Sequence, residues 1–369
     1  MSVESLGATS ARVFAGLPGL LGVDHVAFTV SDLEACVDFL TEELGAVQCY
    51  REGPIARGQW MQQRLGVPAD ALAQIAMMVI GGVNVELFTY RSAHASATPP
   101  VAGSAGTANL RISVTDVAQA KARARSAGLL NEGPGGEAFI TAYGLTFQLV
   151  PPMPAEASAH RPGVGAYGLL GVRAVEFHVA DMDGILGAFH VIAGPDGVRA
   201  VQLPEEEATL HRQRAAVRFS CGPAIIVHQV AAVERAQGSG FGSAPSRSVP
   251  AAGLCGTPLE SSSASPVGLI GSATGSPRNC DVGGHHIAFA VAHPHDVDAA
   301  LSHLGVDFVA MGSHPETIAD GPLAGDRWIY VYARAGLQME ILHMPDGSLP
   351  YERLTSARRV RAQPHTMRR

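Results

Sequence analysis

His25-Val26-Ala27-Phe28-Thr29-Val30 and His286-Ile287-Ala288-Phe289-Ala290-Val291 are one strand pattern written twice, and reading them together decides the fold. In a strand the first copy puts His25, Ala27 and Thr29 on one face and Val26, Phe28 and Val30 on the other. Each copy is followed, after a helix and further strands, by an apolar strand with a lone carboxylate: Val85-Glu86-Leu87-Phe88 and Met339-Glu340-Ile341-Leu342. A buried carboxylate without a cationic partner is costly, and one divalent ion answers two of them. His25, Glu86, His286 and Glu340 are therefore the candidate metal ligands. His285 points to the opposite strand face from His286 and is read as non-ligating.

Working outward, the strand opens a repeated unit. Ser31-Asp32-Leu33-Glu34 reads as a capping box, with Ser31 as the cap, and starts a helix whose Leu33, Cys36, Val37, Leu40 and Leu44 form one apolar stripe ended by Gly45. Strands follow near 46–51, 74–80 and 83–90, giving βαβββ. Three more such units open at Asn109, Ala174 and His286. The expected division is an N-terminal segment 1–22, modules at 23–95, 105–155, 168–235 and 283–346, a flexible linker at 236–282 and a C-terminal tail at 347–369, whose basic run Arg358–Arg369 is read as solvated. The linker assignment rests on Gly, Ser, Ala and Pro with no apolar period.

Composition bounds the function. The 369 residues are 47% apolar and 16% charged with a net charge of −7, which describes a globular protein and argues against nucleic acid as the main partner. No apolar run is long enough for a membrane span, and the start lacks a signal peptide's charged lead, so a cytoplasmic location is expected. Five cysteines without paired spacing fit reduced thiols.

A βαβββ unit with His on its first strand and Glu on its last resembles the vicinal oxygen chelate superfamily, the glyoxalase and methylmalonyl-CoA epimerase group. The resemblance implies an α+β fold in which four modules pair into two curved mixed sheets, each module giving one position on its first strand and one on its fourth to a metal site. Modules one and four then supply His25, Glu86, His286 and Glu340. Modules two and three put Asn109, Gln148, Ala174 and either Ile226 or His228 at the same places, so they make no equivalent cage. A complete site needs module one against module four, in a monomer or homodimer.

Two imidazoles and two carboxylates suit one divalent Zn, Ni, Co, Mn or Fe. With six-fold geometry two positions stay open for adjacent substrate oxygens, which fits an epimerase or isomerase working beside a ketone through an enediolate. Glu86 and Glu340, on opposite halves, are the candidate catalytic bases, or plain ligands while another group moves the proton. Among fused four-module members the chain is most similar to the 2-epi-5-epi-valiolone epimerases of cyclitol biosynthesis, through His25, Tyr50-Arg51-Glu52-Gly53-Pro54 and Glu86-Leu87-Phe88. That resemblance implies a cyclic polyhydroxy ketone, a small-molecule hydroxyketone, as substrate. Glyoxalase I-type lyase chemistry and an iron-dependent dioxygenase of the same superfamily are the alternatives. Asn84, Gln338, Tyr330, Tyr332 and Trp60 are the candidate substrate-binding residues, with Ile55–Ala73 either a lid or a surface helix.

Overall fold

The computed structural model describes residues 16–132, 138–154, 156, 163–194, 213–219, 221–230 and 277–362. The first repeat folds as β1 (Leu20–Thr29), α1 (Leu33–Leu44), β2 (Val47–Ile55), β3 (Leu72–Ile80) and β4 (Val83–Arg91). Alternation in β1 does what the sequence predicts: Val26 and Phe28 enter the large core while Ala27 faces the site. The cap of α1 is Asp32, not Ser31. Its side chain accepts a hydrogen bond from Ala35 N at 3.1 Å, and Gly45 ends the helix at φ +65°, where a side chain would be strained.

The second repeat supplies β5 (Thr107–Val114), α2 (Val117–Ser126), β6 (Leu130–Glu132), β7 (Ala138–Ala142) and β8 (Leu145–Val150). The third gives β9 (Leu169–Val179), α3 (Met182–Ala193), β10 (Gln213–Val217) and β11 (Ala224–Gln229). Asp116 and Asp181 cap α2 and α3 as Asp32 caps α1, so the repeat extends to its capping chemistry. The fourth contains β12 (His285–Val291), α4 (Pro294–Leu304), β13 (Phe308–Ala310), β14 (Glu316–Thr317), β15 (Arg327–Ala333) and β16 (Gln338–His343).

Pairing of first strands joins the repeats into two mixed sheets of an α+β fold. The site sheet runs β13-β15-β16-β12-β1-β4-β3-β2, with β14 against β15, and joins the first repeat to the fourth through antiparallel β1 and β12. Its companion runs β10-β11-β9-β5-β8-β7-β6 and joins the second to the third. Within each repeat the first strand lies parallel to the last, which brings residues distant in sequence into register. The faces turned away from the site pack with the helices into one core. His285 belongs to that core, between Phe28 and Phe177, and burial pushes its pKa down to about 4. Cys36, Cys49, Cys221 and Cys280 are free thiols; Cys255 lies outside the described residues.

Two expectations are corrected. The segment after 347 is not a solvated tail through its described part: Pro350–Arg353 forms a short 3₁₀ helix, Tyr351 packs on Tyr50 with rings 5.1 Å apart, and Arg359 is buried. The expected linker lies mostly outside the described residues, yet Asn279, Cys280, Asp281 and Val282 at its end are buried against the site sheet. Among the described residues no helix is long and apolar enough to cross a membrane.

Candidate metal centre

Strand register builds the centre from two rows that cross the middle of the sheet. One row is Glu86, Ala27 and His286 on β4, β1 and β12; the other is His25, Ala288 and Glu340 on β1, β12 and β16. Each histidine and each glutamate thus stands beside an alanine, whose small side chain leaves the middle open. The four donor atoms lie within 4.8 Å of one another, close enough to share one ion, and all four residues are buried.

Their hydrogen bonds identify what is missing between them. Asp24 Oδ1 sits 2.8 Å from His25 Nδ1 and accepts a hydrogen bond from it, which fixes the ring with Nε2 facing inward. Nε2 lies 3.3 Å from a Glu86 oxygen and 3.4 Å from a Glu340 oxygen, and no hydrogen bond satisfies it. Two carboxylate oxygens therefore converge on an inward ring nitrogen at a buried point, and their charge calls for a cation there, whether a proton on His25 or a metal ion that displaces it. Burial opposes a charge on His25, but Glu86, Asp24 and Glu340 outweigh it and hold its pKa well above the ordinary histidine value. Glu340 shows the reciprocal effect: burial raises its pKa, and His25 and His286 bring it down to about 2.

A layer of partners holds these groups. Asp24 also pairs with the buried Arg359, while Asn84 donates to Asp24 O at 2.9 Å and to Val360 O at 2.8 Å and accepts from Val360 N at 2.8 Å. Tyr50 Oη donates to Glu86 Oε1 at 3.2 Å, and burial with the Glu86 charge keeps this phenol protonated. Asn279 Oδ1 lies 3.3 Å from His286 Nδ1, and Tyr330 Oη 3.2 Å from His286 Nε2.

Over the centre opens a cavity lined by His25, Glu86 and Glu340, with about 810 Å³ of space when solvent at its mouth is counted. Of the five candidate substrate-binding residues, Tyr330 and Trp60 line it. Asn84, Gln338 and Tyr332 do not. Asn84 ties the C-terminal segment to β1, whereas Gln338 accepts from Tyr332 Oη at 2.8 Å and reaches Leu65 O at 3.4 Å. All three share the ligands' strand face, but packing covers them. The segment holding Trp60 is not a surface helix: Met61 and Leu65 of its short π-helix are buried, Arg64 pairs with Glu316 of the fourth repeat, and Ile55, Arg57, Trp60 and Leu65 line the cavity. Asp24, Tyr50, Asn279, Asp326 and Arg359 are the site residues that sequence reasoning missed. Asp24 had a signal in its position beside His25, but strict alternation sends it to the other face; a register shift between Val23 and His25 in the β1–β12 ladder lets both serve one site.

The second sheet shows how the same geometry closes. Its corresponding rows are Gln148, Arg111, Ala174 and Asn109, Glu176, Ile226. Arg111 and Glu176 replace the two alanines and fill the middle as an ion pair at 3.3 Å, while Asn109 donates to Glu176 at 2.7 Å. Glu176, His178 and His228 lie close enough to share an ion, but Arg111 and Arg214 already supply Glu176 with positive charge. Burial raises the Glu176 pKa, and His228, Arg111 and Asn109 pull it down to about 2. A lowered carboxyl stabilises the fold fully above its ordinary 4.5 and loses that contribution as pH falls toward 2. We expect the wild-type unfolding free energy to drop across this window by on the order of 3 kcal/mol more than that of Glu176→Gln. Parallel pH dependences in denaturant titrations would remove Glu176 as the cause.

Residues 22–148 match the Glyoxalase/Bleomycin resistance protein/Dioxygenase superfamily. The chain carries a domain of this superfamily. It is also 48% identical over 83 residues to a 2-epi-5-epi-valiolone epimerase from Actinomyces sp, a stretch that is 22% of this chain and 43% of that relative's length. The likeness in fold extends beyond the matched segment: glyoxalase I from Zea mays superposes over 87% of this chain and 92% of its own at a TM-score of 0.50 and 13% identity.

Proposed function

We propose that the chain is a metal-dependent epimerase that exchanges a proton on the carbon next to a ketone in a cyclic polyhydroxy ketone of the 2-epi-5-epi-valiolone class. The observation that carries the metal is the buried convergence of the inward Nε2 of His25 on one oxygen each of Glu86 and Glu340, at 3.3 and 3.4 Å. In the second sheet Arg111 and Arg214 fill the need for positive charge beside Glu176; Glu86 and Glu340 have only histidines as ion-pair partners among the described residues. His25, Glu86, His286 and Glu340 would hold one divalent ion, with Zn, Ni, Co, Mn and Fe all compatible with two nitrogens and two oxygens.

When bound, the ion supplies a Lewis acid that stabilises the negative charge of an enediolate spread over two adjacent substrate oxygens. The protein's own groups move the proton. Tyr50 fixes the Glu86 carboxylate by donating to its Oε1, and that carboxylate accepts a proton from the substrate carbon. Glu340, in the opposite row, is placed to return a proton to the other face and invert the carbon. Tyr330, kept protonated by burial and by the charges of Glu340 and Glu86, is a donor for a substrate oxygen. Arg57 is the one arginine or lysine among the described residues lining the cavity, where Glu52, Glu316 and Asp326 also stand. That lining favours a neutral polyol over the anionic glutathione adduct of a glyoxalase I, and a fourth protein ligand disfavours the three-ligand iron site of a dioxygenase.

Proton NMR in deuterated water with 2-epi-5-epi-valiolone tests the reading. Metal-loaded protein should wash deuterium into the carbon beside the carbonyl and yield the epimer; a metal-loaded protein that leaves that carbon unexchanged overturns it. Arg359 adds a second expectation, since it holds Asp24 and through it the His25 ring. Arg359→Leu should weaken metal binding about 10- to 100-fold, with partial recovery in Arg359→Lys. Chelator competition reads the affinity, and an unchanged Arg359→Leu would assign Arg359 a role in folding alone.

A further inference from the structure

One group in the cavity is built in a way that neither the metal nor the proton transfer uses. Asp326, in the turn before β15, is only 3% exposed and lines the cavity together with Tyr50, Glu86, Tyr330 and Glu340. Its backbone is pinned: Asp326 N donates to Leu323 O at 3.0 Å, and Ile318 N donates to Asp326 O at 2.8 Å. Its side chain is not, for Oδ1 is buried without a hydrogen-bond partner. A buried polar atom left unpaired is costly and uncommon, so a rigid turn that holds one at a ligand cavity calls for a partner that arrives with the ligand. Burial, with Glu340 adding to it, pushes the Asp326 carboxyl well above the ordinary carboxylate range. A hydroxyl both donates and accepts, and so pairs with a carboxyl in either protonation state.

We infer that Asp326 is a specificity residue, hydrogen-bonding a hydroxyl of a polyhydroxylated ligand whose reacting carbons lie at the four-residue centre. This rests on the epimerase reading for the identity of the ligand, and it deepens that reading by naming the group that tells a polyol from a simple hydroxyketone. A site built to pair a hydroxyl discriminates strongly against ligands that lack it.

The test measures binding to the metal-loaded full chain by calorimetry, using 2-epi-5-epi-valiolone and hydroxyacetone as probes, together with thermal melts without ligand. Asp326→Leu should weaken the polyol's Kd by about 10- to 100-fold and leave hydroxyacetone unchanged. Its Tm should rise, because an unpaired buried carboxyl has been replaced by an apolar side chain. Asp326→Asn, which keeps a hydrogen-bonding group, should retain most of the affinity. An unchanged polyol Kd in Asp326→Leu, equal weakening of both probes with a lower Tm, or no polyol binding by wild type overturns the inference. Wild-type polyol binding that is lost in Asp326→Leu, without deuterium exchange, would instead sink the epimerase reading and leave Asp326 in its role.

Discussion

With His25 replaced by alanine, the purified chain is expected to hold no stoichiometric metal and to lose deuterium exchange and epimerisation together. His25 Nε2 is the one donor in contact with both carboxylates, at 3.3 Å from Glu86 and 3.4 Å from Glu340. Removing it takes away a ligand and leaves two buried carboxylates facing each other, a change that costs on the order of 3–5 kcal/mol when no counter-charge replaces the lost partner. Exchange should fall by at least the roughly 10²–10⁴-fold that loss of one acid–base group causes. Elemental analysis and proton NMR on the same sample check both statements, and metal-stripped wild type provides the control for folding. His25→Ala protein that keeps one equivalent of metal would place the ion elsewhere.

Glu86→Gln separates ligand from base. An amide oxygen can still coordinate in place of the oxygen that faces His25, at the cost of the bond from Tyr50 Oη to the other oxygen, so part of the metal should remain. The amide cannot accept a proton from carbon. Exchange should therefore fall about 10²–10⁴-fold per bound metal. Full exchange in metal-loaded Glu86→Gln would assign the base to Glu340 or to a group outside the pair.

Much of this was legible because the repeat is a local signal. Alternation in 25–30 and 286–291, the carboxylates in two apolar strands and the stop at Gly45 each follow from side-chain period or backbone freedom within a few residues. What joins β1 to β12 is a long-range pairing, and it came from the resemblance rather than from any local pattern. The groups that steer the ligands were hidden for the same reason. Arg359 reaches Asp24 across nearly the whole chain, and a basic C-terminal run looks like a solvated tail until that buried carboxylate is known. Asn84 and Gln338 show the converse error: strand period places them on the ligands' face, but only packing tells that Val360 and Leu65 cover them. In the second sheet, Arg111 and Glu176 stand where the site sheet has alanines, and that substitution was visible in the sequence once the register was known.

His25, Glu86, His286 and Glu340 of one chain are expected to hold one divalent ion. X-ray absorption at the metal edge, on protein loaded with a single metal and quantified by elemental analysis, reads this coordination. One equivalent per chain is expected, with two imidazole nitrogens and carboxylate oxygens at about 2.0–2.2 Å, a signature lost when His25 and His286 are both replaced by alanine. Folded wild-type chain that takes up no metal, or a double variant with an unchanged spectrum and stoichiometry, would contradict it.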